Sequence, residues 1–502
     1  MATHGSSLGC GVWVIDGKTE VVANEGGDRM TPAIVAYTDH DKVVGLPAKQ
    51  GLYRNASNTI CNVKELIGRE ADSEVVQNAM QNSNVKIICQ GAKPFYEVDY
   101  KERTHKVSPV SVAAAIFDSL KDTADGQQRV DSHNAVICVP VSFSEQQQRD
   151  LVQAAQQASF SVLRVIREPC AALMAYGVEE ECVGQTRALV LRLGGRSMTV
   201  TIVRVTGGMF HIEKDAVFEM GGNELDELLV QHLAQDYDRQ WRCQCLKNQR
   251  SAFKLRVAAQ QTRQVLSSMA TAHCSVESLY DGIDLNTKLS RTRVEALVNP
   301  FVQKCLKAVE EVIGSAGSQL TDIEKVVVCG GVGRSPFFIQ AVKDRFPSAQ
   351  ILSSLAGDEV IALGAAKQAT LLTENNAPSA VSVEADTLPC LQTNILLRMT
   401  EDGQQEHRML FAAFTPMPAR RQYRMLLAPE QTDACLVLCT ATAPNDTPEP
   451  VAKLVLHSLP PGSQVEMVCH CRSDGSLHVT CAEPTSNTST GLTIEANKLS
   501  SS

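Results

Sequence analysis

Two apolar strand patterns joined by a glycine turn stand near the middle of this chain. Residues 189–193 form the first pattern, Gly194 and Gly195 form the turn, and residues 198–203 form a second pattern rich in β-branched side chains. Glycines at such a turn let backbone N–H groups approach a ligand closely, and clustered N–H groups favour phosphate. The same pattern is also typical of a plain β-hairpin, so both interpretations stay open at this point.

A second glycine pair follows another strand pattern far downstream. Residues 325–329 are apolar, Gly330 and Gly331 come next, and Ser335 with Pro336 begins a helix pattern. Two such turns, in what the pattern predicts to be two α/β halves, indicate a nucleotide clamped between two lobes.

Strand and helix patterns alternate before and after the central turn. Residues 135–140 read as a buried strand, and Ser144 with Gln147 forms a capping box for the next helix. Another strand at 161–166 and a helix at 168–177 follow. This alternation predicts an α/β fold. Further helices are predicted at residues 223–241, 249–268, 291–312 (stopped by Gly314), from 336 onward, and 357–372.

The pattern changes after residues 375–379, Asn-Asn-Ala-Pro-Ser, which are typical of a linker. Helix patterns then vanish, and apolar residues alternate with polar ones at 465–471 and 477–481 around an Asp474–Gly475 turn. We therefore expect a small, mostly antiparallel β-domain with no helical segment after it.

Composition narrows the class of protein. The chain has 502 residues, 44% hydrophobic and 21% charged, the balance of a soluble globular protein with more than one domain. No apolar run approaches the roughly 20 residues of a membrane helix, and the N-terminus does not resemble a signal peptide. We expect a cytosolic protein.

Cysteines and net charge exclude two further classes. The 17 cysteines are spread along the chain, as expected in a reducing compartment. The Cys243/Cys245 and Cys469/Cys471 pairs have C-x-C spacing without an accompanying C-x-x-C, which disfavours zinc. The net charge of −9 argues against direct nucleic-acid binding, so if the protein works on a ribosome, a more basic partner would have to hold it there.

Several longer stretches resemble the seventy-kilodalton heat-shock chaperones, and the resemblance covers nearly the whole chain. The stretches are 23–32, 66–69, 134–140, Glu168–Ala172, 175–177, 278–282, 358–359 and 364–366. Cys10, residues 415–422 and residues 474–481 are most similar to a short, divergent, ribosome-associated branch of that family.

The resemblance implies an actin-like, two-lobed nucleotide-binding domain over residues 1–374. It also implies a linker over 375–388 and a truncated β-sandwich without a helical lid over 389–502. The implied partners are a zuotin-like J-domain co-chaperone, the ribosome through that partner, and nascent polypeptide. Residues 381–386 are a poor copy of the family's acidic-ended leucine linker, so coupling of the two domains by ATP is not expected.

Both phosphate loops depart from the family pattern. The first has Ser7-Leu8-Gly9-Cys10 where the family has Asp-Leu-Gly-Thr-Thr, and the second has Arg192 and Thr199 where the family has its two acids. Magnesium bound to phosphates needs carboxylates, directly or through water, and a cation at Arg192 would repel the metal. We expect little or no intrinsic ATPase activity and no metal site.

The resemblance nevertheless implies ATP as the cofactor. Lys64 occupies the position of the family's catalytic lysine and is the one candidate catalytic residue. The residues expected to bind nucleotide are Gly9, Cys10, Lys64, Gly194, Gly195, Arg196, Ser197, Gly221, Gly222, Arg263, Ser267, Gly330, Gly331, Arg334 and Asp358, with Gln260 and Gln264 replacing a glutamate and an arginine.

Two arginines offer a route to binding without magnesium. Arg192 and Arg196 could neutralise phosphate oxygens themselves, or they could simply extend to water. An active ATP-driven, peptide-binding chaperone is the main alternative to a scaffold-like chaperone subunit. A sugar kinase of the same superfamily is a third hypothesis, although the loops offer no carboxylate base that we can identify. The basic cluster Arg420, Arg421 and Arg424 is either a contact patch or a solvated loop.

Overall fold

A computed structural model of the chain describes residues 2–4, 8–15, 18–128, 134–181, 185–206, 208–374, 391, 393–401, 404–411, 415, 417–427, 432–441, 448–460, 462–472, 474–483 and 488–499. The described residues fall into two compact units. The first comprises residues up to Gly177, Arg187–Val203, and those from Ile212 to 374. The second comprises Val178–Thr186, Arg204–His211, and the residues from 391 onward.

The N-terminal part of the first unit alternates strands and helices. Its strands are β1 (Ala2–His4), β2 (Leu8–Ile15), β3 (Lys18–Val21), β4 (Thr31–Pro32), β5 (Val35–Tyr37), β6 (Lys42–Val44), β7 (Thr59–Ile60), β8 (Lys86–Gln90), β9 (Lys93–Tyr100), β10 (Arg103–Val107), β11 (Asn134–Val139) and β12 (Ser161–Arg167). Its helices are α1 (Leu46–Gly51), α2 (Val63–Leu66), α3 (Glu74–Asn82), α4 (Pro109–Gln128), α5 (Glu145–Gln157) and α6 (Glu168–Ala175), after which α7 (Val178–Glu181) follows.

These elements form a first lobe around a six-stranded sheet. The strand order is β12-β11-β1-β2-β3, and β4 pairs with β2. The β11–β12 and β1–β11 pairs are parallel, whereas β1–β2 and β2–β3 are antiparallel. Ile116, Phe117, Ile137 and Leu151 are fully buried in the core between α4, α5 and this sheet. The Ser144–Gln147 capping box is confirmed at the start of α5.

The second lobe begins at the central hairpin. Its strands are β13 (Gln185–Leu193), β14 (Met198–Thr206), β15 (Met209–Phe218), β16 (Thr271–Tyr280), β17 (Ile283–Ser290), β18 (Lys325–Cys329) and β19 (Gln350–Leu352). Its helices are α8 (Gly222–Trp241), α9 (Gln249–Ser268), α10 (Arg291–Ser315) and α11 (Pro336–Arg345), and α12 (Val360–Glu374) then returns to the first lobe.

A five-stranded sheet organises the second lobe. Its order is β15-β14-β13-β18-β19, with β13–β18 and β18–β19 parallel. Helices α8, α9 and α10 bury their apolar stripes together with this sheet and the β16–β17 hairpin. The two glycine turns therefore lie at the ends of neighbouring strands, because β13 and β18 run in parallel and each ends at its own turn. The predicted α/β organisation is confirmed.

The second unit contains two four-stranded sheets. Its strands are β20 (Asn394–Glu401), β21 (Gln404–Phe411), β22 (Ala419–Leu426), β23 (Ala434–Ala441), β24 (Glu449–Leu456), β25 (Gln464–Cys471), β26 (Leu477–Glu483) and β27 (Thr488–Ile494), followed by the short helix α13 (Ala496–Leu499). The orders are β21-β20-β23-β24 and β22-β25-β26-β27, and every described pair is antiparallel. Val465, Met467, Cys469 and Val479 are fully buried between the sheets, as their alternation predicted.

Several predicted details are wrong. Helix α10 continues past Gly314 to Ser315, α12 begins at Val360 rather than near 357, and the four-residue helix α13 follows the β-domain. The predicted linker, residues 375–388, lies outside the described residues, so the division after residue 374 stays a prediction. Within the described residues, no helix is long and apolar enough to cross a membrane.

Candidate nucleotide site

The floor of the site is a close contact between two pairs of glycines. The carbonyls of Gly194 and Gly195 accept hydrogen bonds from the N–H groups of Gly222 (2.9 Å) and Asn223 (2.7 Å) at the start of α8. A β-carbon on Gly221 would lie 2.7 Å from the carbonyl oxygens of Gly194 and Gly195. Only glycine allows the two backbone segments to approach so closely.

This contact changes the expected role of some glycines. The N–H groups of Gly222 and Gly194 already donate, to the carbonyls of Gly194 and Ser197 respectively, so neither is free for a ligand in this structure, and their predicted role at a phosphate stays a prediction. Among the described residues, the N–H groups of Gly195, Arg196 and Ser197 have no protein acceptor. Successive N–H groups at a turn form a concavity suited to an anion. The N–H groups that are free for an anion therefore lie at the tip of the turn rather than at the start of α8.

The second glycine turn packs against the first. Gly330 has a φ of +90°, a left-handed conformation that favours glycine, and a β-carbon there would collide with the carbonyl of Leu193. Its N–H donates to the carbonyl of Gly357 at 2.7 Å. Gly331 instead faces open space, since a β-carbon there would have no described atom within 4 Å. The structure thus brings the two predicted glycine turns together.

The buried carboxylate of Glu168 pairs with two cations, Lys64 and Arg192. Lys64 Nζ lies 3.3 Å from Glu168 Oε1, and Arg192 Nε lies 3.2 Å from Glu168 Oε2. The side chains of Lys64, Arg192 and Glu168 are only 14%, 13% and 6% exposed, respectively. The ion pair between Arg192 and Glu168 joins the second lobe to the first.

Local structure places these three groups. Val63 and Leu66 anchor the short helix α2 in the core, which leaves Lys64 on its cleft side. Glu168 is the first residue of α6, where the partial positive charge of a helix N-terminus favours a carboxylate. Lys64 Nζ also lies 5.7 Å from the centre of the Phe143 ring, a cation–π distance.

Burial dominates the electrostatics of this cluster. Burial lowers the pKa of Lys64, and the Glu168 carboxylate opposes that effect. Burial likewise raises the pKa of Asp215, whose Oδ1 accepts a 2.6 Å hydrogen bond from Thr201. A small cavity lies beside Glu168 and Arg192, with about 10 Å³ in which the centre of a water molecule can lie. That volume suits about one water molecule.

A second ion pair crosses between the lobes at the turn itself. Arg196 Nη1 lies 2.9 Å from Glu65 Oε1, and Glu65 follows Lys64 on α2. Farther out, Lys49 Nζ donates to Gln260 Oε1 at 3.1 Å, and the rings of Tyr53 and Phe253 lie 5.6 Å apart. The second lobe therefore contacts the first at the floor and at the rim of the cleft.

The remaining predicted residues are held by side-chain contacts of their own. Arg263 makes a bidentate pair with Asp226, at 2.6 and 3.3 Å, and its Nη2 lies 3.6 Å from the β-carbon position of Gly222. Arg334 Nη1 lies 3.0 Å from Asp358 Oδ2. Ser267 Oγ donates back to the carbonyl of Arg263 at 3.2 Å.

Comparison with known proteins identifies the family. The family model described as Hsp70 protein matches residues 5–502. The chain belongs to the Hsp70 family. It is 37% identical over 497 residues to heat shock 70 kDa protein 14 of Danio rerio, covering 98% of this chain and 97% of that protein. The Bos taurus protein of the same name is 37% identical over 509 residues (99% of each chain), and heat shock 70 kDa protein 14-A of Xenopus laevis is 36% identical over 510 residues (99% and 100%).

Family membership fixes the broad class. The protein is an Hsp70-family chaperone with a nucleotide-binding, actin-like domain and a β-sandwich region, as its sequence predicted. Chaperones of this family typically work with J-domain co-chaperones.

The Hsp70 site is suited to a nucleotide. The glycine floor is a cradle that β-carbons would fill, and the turn tip offers three N–H groups without an acceptor among the described residues. Ser335 Oγ and Asp358 Oδ1 are also buried, and they have no hydrogen-bond partner in the described part of the chain. Buried polar atoms normally have partners, so these two atoms point to a bound polar ligand.

The Hsp70 site is not suited to magnesium. Glu168 is held by two cations that already neutralise it beside the turn. No group of three or more His, Cys, Asp or Glu side chains that could hold a metal occurs in the described part of the chain. The donor set at the floor is cationic, which is the reverse of what a hard divalent metal needs.

Three acidic residues of the site were not predicted from the sequence, and two predicted residues lie in a strand instead of the expected loop. Glu168, Glu65 and Asp226 pair with the cations of this site but are absent from the predicted site residues, although an acid directly after a predicted strand is a usable signal for Glu168. Gly9 and Cys10 lie in strand β2, opposite His4 and Thr3 of β1, rather than in a loop. Ser7 lies outside the described residues.

Proposed function

We propose that this Hsp70-family protein is an atypical chaperone subunit that holds ATP as a structural ligand, without magnesium and with little hydrolysis. The observation that carries the proposal is the Arg192–Glu168 ion pair. Arg192 lies where an acid would be needed to bind a metal. The remaining acid, Glu168, is paired with Arg192. Phosphoryl transfer needs positioned charge and an oriented water, so this floor supports binding better than turnover.

The chain's own residues supply the binding chemistry. Arg196 is half-exposed at the turn tip and is held there by the Glu65 carboxylate, which a polyphosphate can displace. Lys64 lies nearby in a buried position with a lowered pKa. Charge-assisted hydrogen bonds from guanidinium and backbone N–H groups would then bind phosphate oxygens.

Calorimetry tests this part of the proposal. ATP is titrated into nucleotide-stripped protein with magnesium and again with a chelator. Equal binding in both supports metal-independent binding. Loss of binding with chelator would overturn it, and absence of binding in both would place the function in protein surfaces alone.

We further propose that the subunit works in the cytosol within a ribosome-associated complex. Its partner would be a zuotin-like J-domain co-chaperone, and the complex would act on nascent polypeptides. The family resemblance and the net charge of −9, which disfavours direct contact with ribosomal RNA, support an indirect attachment. Sedimentation with ribosomes should therefore require the J-domain partner; sedimentation without it would contradict the proposal.

An active ATP-driven chaperone is the second candidate. The observation in its favour is that Lys64 and a carboxylate still meet in the cleft, with Nζ 3.3 Å from Glu168 Oε1. A single-turnover ATPase assay with and without a J-domain separates the two. Stimulated turnover that Lys64→Met abolishes would favour the active chaperone.

A further inference from the structure

The outer face of the β22-β25-β26-β27 sheet carries a row of polar side chains that includes one arginine and two histidines. The register places Arg420 opposite His470, His470 opposite His478, and His478 opposite Thr493, so one row crosses all four strands. Neighbouring strands lie about 4.8 Å apart, which makes the row about 14 Å long. The row is built from residues far apart in sequence and is visible only in the fold.

Arg472 extends this row into a patch. It lies directly after the end of β25, two residues beyond His470, and is exposed, whereas Cys469 and Cys471 face the core and are fully buried. Arg420 and Arg472 are exposed, and His470 and His478 are half-exposed. We call Arg420, His470, Arg472 and His478 the basic sheet patch.

The arginines of the basic sheet patch make no ion pair with the described carboxylates. The nearest effect is on Asp474, whose pKa is lowered mainly by its hydrogen bonds with Ser476 and to a smaller extent by the charge of Arg472. The acid on the same sheet face, Glu466, is taken by Arg424 at 2.8 Å. The basic sheet patch is therefore bordered by the Arg424–Glu466 ion pair, which carries no net charge.

Protection of a sheet edge does not explain this arrangement. Basic residues on edge strands guard against unwanted strand pairing, and Arg420 on β22 could serve that purpose. His470 belongs to β25 and His478 belongs to β26, both of which have a neighbour on each side, and Arg472 directly follows the last residue of β25. Arg472 therefore guards no sheet edge, and together with Arg420 it indicates a partner of opposite charge.

We propose that the basic sheet patch binds a short acidic polypeptide segment, with carboxylates paired to Arg420 and Arg472. Two guanidinium groups match two or three carboxylates, and the imidazoles and the exposed Thr480 add hydrogen-bond donors beside them. His478 Nδ1 lies 2.8 Å from Thr493 Oγ1, which fixes that ring on the face.

Nucleic acid fits the basic sheet patch less well. Single strands are bound by aromatic stacking platforms, and the outward positions of the described strands here carry no Phe, Tyr or Trp side chain. Duplex binding relies on many phosphate contacts, whereas this patch has two arginines on a chain with net charge −9. An acidic peptide is therefore the better occupant.

A fluorescence-anisotropy titration of the full chain tests the proposal. The probes are a labelled deca-glutamate peptide, a deca-glutamine peptide and a ten-nucleotide RNA, each at low salt. The variant is Arg420→Ala with Arg472→Ala. The matched control is Arg103→Ala with Arg239→Ala, which removes the same charge from exposed positions in the other unit.

We expect salt-sensitive binding of deca-glutamate that weakens about tenfold in the patch variant and is unchanged in the control. Deca-glutamine should not bind. Equal deca-glutamate affinity in the parent and the patch variant would overturn the proposal, as would RNA binding without peptide binding. The outcome is independent of the nucleotide titration, because the patch and the cleft lie in different units.

Discussion

Arg192 and Glu168 meet across the two lobes of the nucleotide-binding domain, with Nε 3.2 Å from Oε2 and both side chains buried. A buried ion pair contributes little net stability by itself, but loss of one partner leaves an uncompensated charge. Here the carboxylate keeps Lys64 as a second partner, so the pair can be altered without stranding Glu168. The effect of the charge at position 192 can therefore be tested by substitution.

Reversal of the charge at position 192 should create magnesium dependence. In Arg192→Asp, two carboxylates would face the glycine floor, which is the donor chemistry that a divalent metal prefers. We expect a chelator to weaken ATP binding at least about tenfold in this variant and to leave the parent unchanged. Isothermal titration with and without magnesium measures the effect.

Arg192→Gln is the matched control for that experiment. It removes the guanidinium but adds no acid, so its ATP affinity should stay insensitive to chelator. Magnesium dependence in Arg192→Gln as well would show that loss of the cation, rather than gain of an acid, controls the metal.

Arg196 and Glu65 should have opposite effects on nucleotide affinity. Arg196→Gln removes a charge-assisted donor at the turn tip and should weaken ATP binding by about 1–2 kcal/mol. Glu65→Gln removes the carboxylate that holds Arg196 at 2.9 Å, so it should strengthen binding. A double-mutant cycle of affinities checks this, and weaker binding in Glu65→Gln would show that the ion pair positions Arg196 for the ligand.

The fold was predictable from sequence because the apolar pattern and the turn residues agree at each element. The hairpin 189–203, the capping box at Ser144 and the alternation around Val465 each occur where predicted. Helix ends were less predictable: α10 accommodates Gly314 in its last turn because Val309, Val312 and Ile313 still pack into the core.

The candidate site was predictable only in part, because its ion pairs join distant segments. Lys64, Glu168 and Arg192 lie on α2, α6 and β13, and no local pattern relates them. Arg420 and Arg424 posed the same difficulty. The loop interpretation is wrong, since both lie on strand β22, and the neighbours of Arg420 come from β25.

The lowered pKa of Lys64 predicts a pH effect on stability. Between its folded-state pKa and the unfolded value of 10.5, the unfolded chain binds more protons than the folded chain at this site. Stability contributed by this group therefore rises with pH in that window. We expect the free energy of unfolding of the parent, relative to Lys64→Met, to increase as the pH rises from the folded-state pKa of Lys64 toward its unfolded value of 10.5.

Urea denaturation of both proteins at several pH values measures this difference. Comparison with Lys64→Met cancels the buried cysteines, such as Cys329, whose raised pKa of about 12 acts in the opposite direction. A difference that stays flat or falls with pH would contradict the lowered pKa.

Gly221 should be far less replaceable than Gly331. A β-carbon on Gly221 would lie 2.7 Å from backbone atoms of Gly194 and Gly195, which cannot move without breaking the floor. Gly221→Ala should therefore destabilise the protein by about 2–3 kcal/mol. Gly331→Ala meets open space and should change stability by less than about 0.5 kcal/mol. Thermal unfolding compares them, and equal effects would contradict the floor geometry.

The rim contact between Tyr53 and Phe253 should slow nucleotide release. The two rings lie 5.6 Å apart, one on each lobe, and an aromatic pair contributes about 0.5–1.5 kcal/mol beyond its buried area. If this contact must break for the cleft to open, Tyr53→Ala should accelerate release of a fluorescent ATP analogue by up to about tenfold. Tyr53→Phe keeps the ring and should release at the parental rate. Stopped-flow displacement measures both, and identical rates in Tyr53→Ala and Tyr53→Phe would show that opening does not pass through this contact.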